Sequence, residues 1–293
     1  MRAAIWVVML VVGLALSAPV RADAVSDFKA GSTKDCVKCD LSGLDLKHRD
    51  LSGADLDGAD LHGADLYAAN MKAMSCKGCN LNQVRFKRGD LTGADLTGSS
   101  IQDGNFHAAV VRDAVLKDAD LTRADLNRTD MRRANLSGAK LDTAMLYGAE
   151  ITGANLAGAD FEHAMVGTAR LARADLSGAK IIASDFRNTN LRGATITGAT
   201  LDGSAFDHAD MREVTAAKSS ALKALLRWVD LRHANLSGSR LDGTSFYSSD
   251  LRGANLSNST LTEGELHRAH TDGADFDGVT LKGTSMPDGS THD

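Results

Sequence analysis

Aromatic residues and proline are scarce in this chain. Aromatic side chains make up 4% of its 293 residues, and only two prolines occur. A conventional β-sandwich or α/β core requires more large aromatic and β-branched residues than this. Glycine, alanine, aspartate and leucine recur instead. The composition therefore argues against an ordinary globular core and favours a narrow core built from a repeat.

Long apolar runs are absent beyond the first residues. Ile5–Leu16 is a run of twelve residues broken only by one glycine, and Arg2 precedes it. Ser17, Ala18 and Pro19 follow, and Val20-Arg21-Ala22 has small or moderate residues at the positions that a signal peptidase reads. This pattern is typical of a secretory signal peptide, predicted here as residues 1–22. The run is too short for a ~30 Å hydrocarbon layer, which needs about twenty residues. We expect an exported protein, periplasmic or extracellular, with no membrane span after cleavage.

A strong net charge is also lacking. The formal charge is −5, and removal of the predicted signal peptide takes away Arg2 and Arg21 and leaves −7. A mildly acidic surface of mixed charge is not one that attracts nucleic acid. We therefore expect no nucleic-acid partner.

Motifs for catalysis and cofactor binding are missing as well. No phosphate loop, dinucleotide-binding fingerprint or G-x-S-x-G signature occurs in a strand–turn–helix setting. The nine histidines are dispersed, and the pair His267 and His270 has no acidic residue at ligand spacing. We predict no catalytic, cofactor or metal site, and hence no enzyme.

What the chain does contain is a period of five residues. Stepping by five from Leu41 to Leu281 visits 49 positions, and all of these centres are apolar except Thr271. A small residue, usually alanine, stands two positions before each centre, with Asp or Asn usually between the two. An amphipathic helix, with 3.6 residues per turn, would lose register with this period.

Strand geometry explains the five-residue unit. In an extended segment, side chains two positions apart share a face. The small residue and the centre therefore point inward together, whereas the Asp or Asn and the residue after the centre point outward. The fifth residue, often glycine, alanine or arginine, turns the chain.

This pattern resembles the pentapeptide-repeat family, with consensus A-(D/N)-L-x-x, over residues 36–286. The resemblance implies an all-β fold, a right-handed quadrilateral β-helix with four repeats per coil. At ~4.8 Å per coil, about twelve coils give a rod of roughly 60 Å. Residues 23–35, which include Phe28, can cover the first coil. The C-terminal tail, residues 287–293, is short and polar and shows no obvious cap.

One observation supports four repeats per coil. If a coil takes twenty residues, centres twenty apart stack in one column. Five phenylalanines share a single column: Phe86, Phe106, Phe186, Phe206 and Phe246. All three tyrosines follow centres of that column. We interpret these phenylalanines as wide core residues on one side of the rod rather than as a ligand site.

Residues 212–230 form the one irregular stretch. Its apolar residues have helical spacing, i, i+3, i+4 and i+7: Leu222, Leu225, Leu226 and Val229. We predict a short amphipathic helix near 216–229, packed on the side of the rod. A distorted coil is the alternative, because the phenylalanine column resumes at Phe246 as if one whole coil had passed.

The same stretch supplies the first candidates for partner contact. Read as repeats, it exposes Leu222, Leu225 and Trp228. An exposed apolar cluster often marks a binding surface. Trp228 is the strongest single candidate.

The four cysteines form two C-x-x-C pairs, Cys36 with Cys39 and Cys76 with Cys79. The repeat places both members of a pair inward across one corner, with the pairs two coils apart. That separation of ~9.6 Å is too large for one zinc site, whose sulfurs lie within about 4–5 Å of each other. In an oxidising compartment we favour two local disulfides. Reduced, buried thiols are the alternative.

Arginines recur in one outward column, and four of them follow successive centres: Arg192, Arg212, Arg232 and Arg252. Such a basic ridge could bind an anionic envelope component. Acidic residues lie two positions before three of these arginines, on the same outward side: Asp210, Asp230 and Asp250. A solvated ladder of ion pairs, each of small energy, is therefore the favoured interpretation.

Together these features predict a non-catalytic, exported scaffold that presents a rigid, charge-patterned rod to an unknown protein or anionic envelope component. The family resemblance implies one alternative, because some members resemble DNA and protect or inhibit type II topoisomerases. The signal peptide disfavours that alternative, since those enzymes are cytoplasmic. The arginine column disfavours it too.

The cysteine prediction is tested by mass spectrometry of the exported protein. Two disulfides lower the intact mass by four hydrogens relative to four free thiols. We expect no alkylation by iodoacetamide before reduction and four alkylations after it. Alkylation of the unfolded, unreduced chain would contradict the prediction.

Overall fold

The computed structural model describes residues 22–293. Its named elements are helix α1 at Ala22–Ala30, strand β1 at Thr284–Ser285 and strand β2 at Thr291–His292. Between α1 and β1, the backbone repeats one five-residue conformation, a turn followed by a single bridging residue. The predicted signal peptide of residues 1–22 lies outside the described residues, except for Ala22, at which α1 begins.

Parallel backbone bridges organise this repeated part. Each joins residues twenty apart, from Asp40 with Asp60 to Glu265 with Ser285. One coil therefore contains four pentapeptides, as the phenylalanine column predicts. The chain forms a β-helix in which each coil stacks on the one before it.

Two sets of hydrogen bonds hold a coil to its neighbours. The N–H of a centre donates to the next coil, as from Leu41 to the Asp60 carbonyl at 2.7 Å. The N–H before a centre donates to the previous coil, as from Asp60 to the Cys39 carbonyl at 2.8 Å. Because both bonds recur in each repeat of an interior coil, such a coil cannot leave its position without breaking bonds on both sides.

The corner of each repeat explains the recurrence of glycine. The residue two after a centre has a positive φ, for example 68° at Gly53 and 55° at Trp228. Glycine adopts this left-handed conformation without a Cβ penalty, whereas other residues tolerate it at a cost. The fifth position of the repeat therefore turns the chain, as the sequence predicts.

The interior is a continuous apolar core filled by the centres and the small residues. The phenylalanine column packs ring against ring, with centroids 5.3 Å apart for Phe86 and Phe106 and 5.2 Å apart for Phe186 and Phe206. These rings are buried, so the column fills one side of the core.

The predicted helix near 216–229 is wrong. Residues 212–230 keep the regular repeat and bridge the following coil, for example Ser220 with Arg240 and Leu225 with Ser245. Its centres, Ala216, Ala221 and Leu226, are buried in the core. A helix here would strip the coils on both sides of their backbone partners, and this cost outweighs the helical spacing of the leucines.

Helix α1 lies at the N-terminal end of the coils. Phe28 is fully buried in the core cluster. The Arg49 guanidinium lies 4.3 Å from the centroid of the Phe28 ring and donates to the Phe28 carbonyl. The Asp35 carboxylate accepts the N–H of Asp55 at 2.8 Å. A side chain here replaces the missing preceding coil as acceptor for that N–H.

The C-terminal tail folds back on the last coil, which the sequence did not suggest. Strands β1 and β2 pair antiparallel, and the N–H of Gly283 donates to the His292 carbonyl at 2.7 Å. The core is less covered here than elsewhere, because the last centres, Phe276 and Leu281, are only partly buried.

In the described part of the chain, no helix has the length and apolarity that crossing a membrane demands.

The stacked core predicts a graded effect of truncating phenylalanines. Phe186 is fully buried and contacts Phe206 at 5.2 Å between ring centroids. Phe186→Ala is expected to destabilise the fold by about 3–5 kcal/mol, because it leaves a cavity between coils. Phe276→Ala removes the same side chain from the partly covered last coil and should cost clearly less. Urea unfolding followed by circular dichroism measures both, and equal losses would contradict the stacked core.

Candidate functional site

Exposed apolar side chains concentrate on the side of the rod that the phenylalanines fill from within. Five large hydrophobic residues are exposed in the described chain: Val37, Tyr147, Met165, Leu225 and Trp228. All except Val37 lie within two positions of a centre of the phenylalanine column. We call the outward residues of this side, from Met145 to Arg268, the aromatic wall.

A run of rings crosses successive coils of the aromatic wall. The imidazole of His208 stacks on the indole of Trp228, with centroids 5.0 Å apart and planes 4° from parallel. Tyr247 meets Trp228 edge-on at 5.6 Å, and His267 lies 5.8 Å from Tyr247. Stacking at the ~4.8 Å coil spacing places one ring per coil, so each ring orders the next.

Arginines reinforce this run. The Arg227 guanidinium lies 5.5 Å from the Trp228 ring, and that of Arg268 lies 5.9 Å from the Tyr247 ring. Arg268 also donates to the Tyr247 hydroxyl at 3.0 Å. These contacts limit the rotamers of the exposed rings, which lowers the entropy lost when the wall is covered.

The three apolar candidates of residues 212–230 do not all lie on the same side of the rod. Trp228 and Leu225 both lie on the aromatic wall, with 45% and 36% of their surface exposed. Leu222 follows the centre of the preceding pentapeptide and therefore lies on the neighbouring side. There it lines a different groove, with Lys223, Arg240 and Asp242.

A shallow groove of about 360 Å³ interrupts the wall. Its lining runs along the rod axis from one exposed ring to another: Tyr147, Gly167, Thr168, Asp185, Arg187, Asn188, Asp207, His208, Arg227 and Trp228. The sequence places the tyrosines outside the phenylalanine column but does not reveal this groove. The sequence did contain one signal for the groove: residues twenty apart stack along the rod, which places Tyr147, Gly167, Arg187, Asp207 and Arg227 in one outward row.

Two bidentate ion pairs form the floor of the groove. Arg187 donates to both carboxylate oxygens of Asp185, at 2.8 and 2.6 Å. Arg227 does the same to Asp207, at 2.9 and 2.7 Å. Hydrogen bonds from Arg187 are the largest influence on the pKa of Asp185 and lower it below the usual range, against the opposing effect of burial.

The predicted arginine column is an ion-pair ladder. Arg212 bonds Asp210 at 2.6 Å within its own coil and reaches Asp230 of the next coil at 3.5 Å. Arg232 repeats this with Asp230 at 2.7 Å and Asp250 at 3.6 Å. The positive charges therefore alternate with carboxylates along the axis rather than forming a uniformly basic ridge.

The two ends of the ladder are paired as well. Arg252 bonds Asp250 at 2.6 Å, and Arg192 bonds Glu213 at 2.8 Å. Hydrogen bonds from Arg212 hold the pKa of Asp210 below its usual range. The four candidate arginines are thus placed together, each beside a carboxylate.

Earlier in the same column, two arginines lower the pKa of a mostly buried carboxyl group, that of Asp130. The Asp130 side chain is 16% exposed and lies 2.6 Å from Arg112 and 2.8 Å from Arg132. Burial alone would raise its pKa, but the hydrogen bonds from Arg132 and Arg112 outweigh burial and lower the pKa to about 2.

The cysteine pairs form two separate disulfides, Cys36–Cys39 and Cys76–Cys79. All four residues are buried, and residues 22–293 contain no free cysteine. Disulfides are typical of an oxidising compartment. Over the same residues, no group of three potential metal ligands comes together.

The low pKa of Asp130 predicts a pH-dependent contribution to stability. Because the carboxyl has a pKa of ~3.9 in an unfolded chain and about 2 when folded, its contribution is complete above pH ~4 and is lost as the pH falls toward 2. Asp130→Asn should therefore destabilise the protein at neutral pH, with the difference from wild type shrinking below pH ~4. Asn190→Ala, in the same column, removes no titrating group, so its effect should not shrink in this range. Urea unfolding across this range measures both variants, and a constant Asp130→Asn effect would refute the coupling.

Comparison with known proteins gives matches to solved structures but none to curated proteins. HetL, a pentapeptide repeat protein from the cyanobacterium Nostoc, is 28% identical over 92% of this chain and 98% of its own, with a TM-score of 0.35. QnrB1, a plasmid-mediated fluoroquinolone resistance protein, is 21% identical over 63% of this chain and 89% of its own, with a TM-score of 0.43. A pentapeptide repeat protein from the thylakoid lumen of Arabidopsis thaliana is 27% identical over 45% of this chain and 69% of its own, with a TM-score of 0.14.

The family model for pentapeptide repeats matches eight copies, at residues 35–72, 75–113, 112–146, 174–213 and 224–263. These ranges cover more than half of the chain and coincide with the bridged coils. The chain belongs to the pentapeptide-repeat family.

Proposed function

We propose that this protein is a non-catalytic, exported interaction scaffold that binds a protein partner through the aromatic wall. The observation that carries the proposal is the concentration of exposed apolar side chains on one side of the rod: Tyr147, Met165, Leu225 and Trp228. Exposed apolar residues gathered on one side mark an interaction site more often than residues scattered singly over the surface do.

The composition of the wall supports a protein partner. Its outward positions carry tyrosine, tryptophan, methionine and arginine, and no lysine occurs among them from Met145 to Arg268. The aspartates among them, Asp185 and Asp207, are each neutralised by an arginine. Protein interfaces are enriched in those four residue types and depleted of lysine. Tryptophan, tyrosine and arginine also dominate the few residues that contribute most binding energy.

The rod supports the proposal by its rigidity. We infer a right-handed, four-sided β-helix of about twelve coils, roughly 60 Å long at ~4.8 Å per coil. A wall whose backbone is bonded to coils on both sides loses little conformational entropy on binding. Recognition then depends on side chains that are already in place.

Export is supported by two independent features. The predicted signal peptide, residues 1–22, directs the chain out of the cytoplasm. The disulfides Cys36–Cys39 and Cys76–Cys79 suit an oxidising compartment such as the periplasm or the extracellular space.

The ion-pair ladder favours neither an anionic envelope component nor a DNA-mimicking role. Its arginines, such as Arg212, are paired with carboxylates, such as Asp210. An anion would have to compete with these carboxylates, and a DNA mimic would need carboxylates free of such neutralisation. The aromatic wall is therefore the better candidate for the contact surface.

Site-specific photocrosslinking in the native envelope tests the proposal. The photoreactive residue p-benzoylphenylalanine replaces Leu225 on the wall or, as a matched control, Ser220 at the same repeat position on the neighbouring side. We expect an adduct of discrete mass from position 225 only. Trp228→Ala should abolish it, because the partner loses the exposed indole. The same adducts from both positions, or an adduct that persists in Trp228→Ala, would count against the wall.

A further inference from the structure

The groove in the aromatic wall shares its two ends, Tyr147 and Trp228, with the protein contact proposed above. The lining between these ends is mostly polar or charged and is not used by that contact. The volume of about 360 Å³ falls within the ~300–1,000 Å³ typical of small-ligand sites. Its residues define which kind of ligand fits.

The charged groups of the groove cancel. Two carboxylates, Asp185 and Asp207, are each held by one arginine in a bidentate pair, Arg187 and Arg227 respectively. Asp207 is the more enclosed, with 7% of its side chain exposed. Because each charge already has its partner, an ionic ligand would have to displace an existing ion pair. The groove therefore suits an uncharged ligand.

The same pairs still offer hydrogen bonds. A carboxylate oxygen accepts more than one hydrogen bond, and a guanidinium has five N–H donors, of which a bidentate pair uses two. Asn188 adds both a donor and an acceptor to the lining. The floor therefore combines donors and acceptors held in fixed positions, which matches a ligand rich in hydroxyl groups, since each hydroxyl both donates and accepts.

One end of the groove is a flat aromatic surface. The Tyr147 side chain is 41% exposed and extends over Gly167 of the next coil. A Cβ at Gly167 would lie only 2.9 Å from Cε1 of Tyr147. The ring can therefore approach the backbone closely only because residue 167 is glycine. The other end is formed by His208 stacked on Trp228.

From this geometry we infer that the groove binds a neutral, extended polysaccharide along the rod axis. The apolar C–H face of one sugar ring lies on Tyr147. The hydroxyls of the chain bond the paired side chains of the floor, and a further sugar lies against His208 and Trp228. Residues 147 and 227 are four coils apart, ~19 Å at the coil spacing, so the site accommodates several consecutive sugars of one chain.

Tryptophan fluorescence provides a direct test on the purified exported protein. Of the two tryptophans in the sequence, Trp6 lies in the predicted signal peptide and is removed with it, so Trp228 is the only reporter. The probes are the neutral hexasaccharides cellohexaose, maltohexaose and hexa-N-acetylchitohexaose. We expect at least one of them to change Trp228 emission saturably, with an affinity that is unchanged when sodium chloride is raised tenfold.

Variants locate the binding to the groove. The backbone at residue 167 is not in the left-handed region that favours glycine, so alanine fits there without backbone strain. Its Cβ would displace only the Tyr147 ring. Gly167→Ala should weaken binding at least tenfold without lowering the thermal midpoint by more than a few degrees. Tyr147→Ala should weaken binding similarly. Val37→Ala, which truncates the exposed hydrophobic residue outside the wall, should bind as the parent protein does.

Three results would overturn the inference. The first is that none of the hexasaccharides changes the emission of Trp228. The second is that only an anionic polymer such as polygalacturonate binds, with the steep salt dependence of ionic association. The third is that Gly167→Ala and Tyr147→Ala bind like the parent. The titration uses no protein partner, so its outcome is separate from that of the photocrosslinking.

Discussion

Backbone pairing between residues twenty apart is the constraint on which the rest of the molecule depends. A centre such as Leu41 donates to the coil that follows, and a bridging residue such as Asp60 donates to the coil before it. Leaving either donor buried and unpaired costs about 1–3 kcal/mol. Since every repeat of an interior coil makes both bonds, the five-residue register propagates along the rod, and local preferences are subordinate to it.

Residues 212–230 illustrate this subordination. The leucines of the stretch have helical spacing and good helix formers around them, yet Ala216, Ala221 and Leu226 enter the core as ordinary centres. The outward leucine and tryptophan are the consequence: once the register is kept, Leu225 and Trp228 have no interior to enter. Leu225 and Trp228 are therefore exposed because residues 212–230 form a coil of the β-helix and not the helix that their apolar spacing allows.

The stacking of coils also arranges the side chains on the outer surface, although these are held less tightly than the backbone. Side chains at equivalent positions of adjacent coils lie ~4.8 Å apart, so like residues stack into ladders and opposite charges pair along the axis. Arg212 between Asp210 and Asp230 is one result; Trp228 between His208 and Tyr247 is another. Paired charges leave the ladder electrically balanced, whereas the stacked rings leave apolar surface uncovered. For this reason the rings, rather than the arginines, distinguish one side of the rod from the others.

The period of five residues was enough to establish the repeat and which residues point inward, because both follow from which residues share a face. Four pentapeptides per coil were implied by the family resemblance and supported by the phenylalanine column. Disulfides were favoured over reduced thiols because the predicted signal peptide indicates an oxidising compartment. Tertiary structure alone established the hairpin of Thr284–Ser285 with Thr291–His292, the coil at 212–230, and the groove between Tyr147 and Trp228. The hairpin depends on how the tail folds back on the last coil. The coil at 212–230 and the groove depend on how neighbouring coils stack. The repeat pattern shows which side chains share a column. It does not show that the Tyr147 ring packs over Gly167 of the next coil, because that contact forms only when the coils stack.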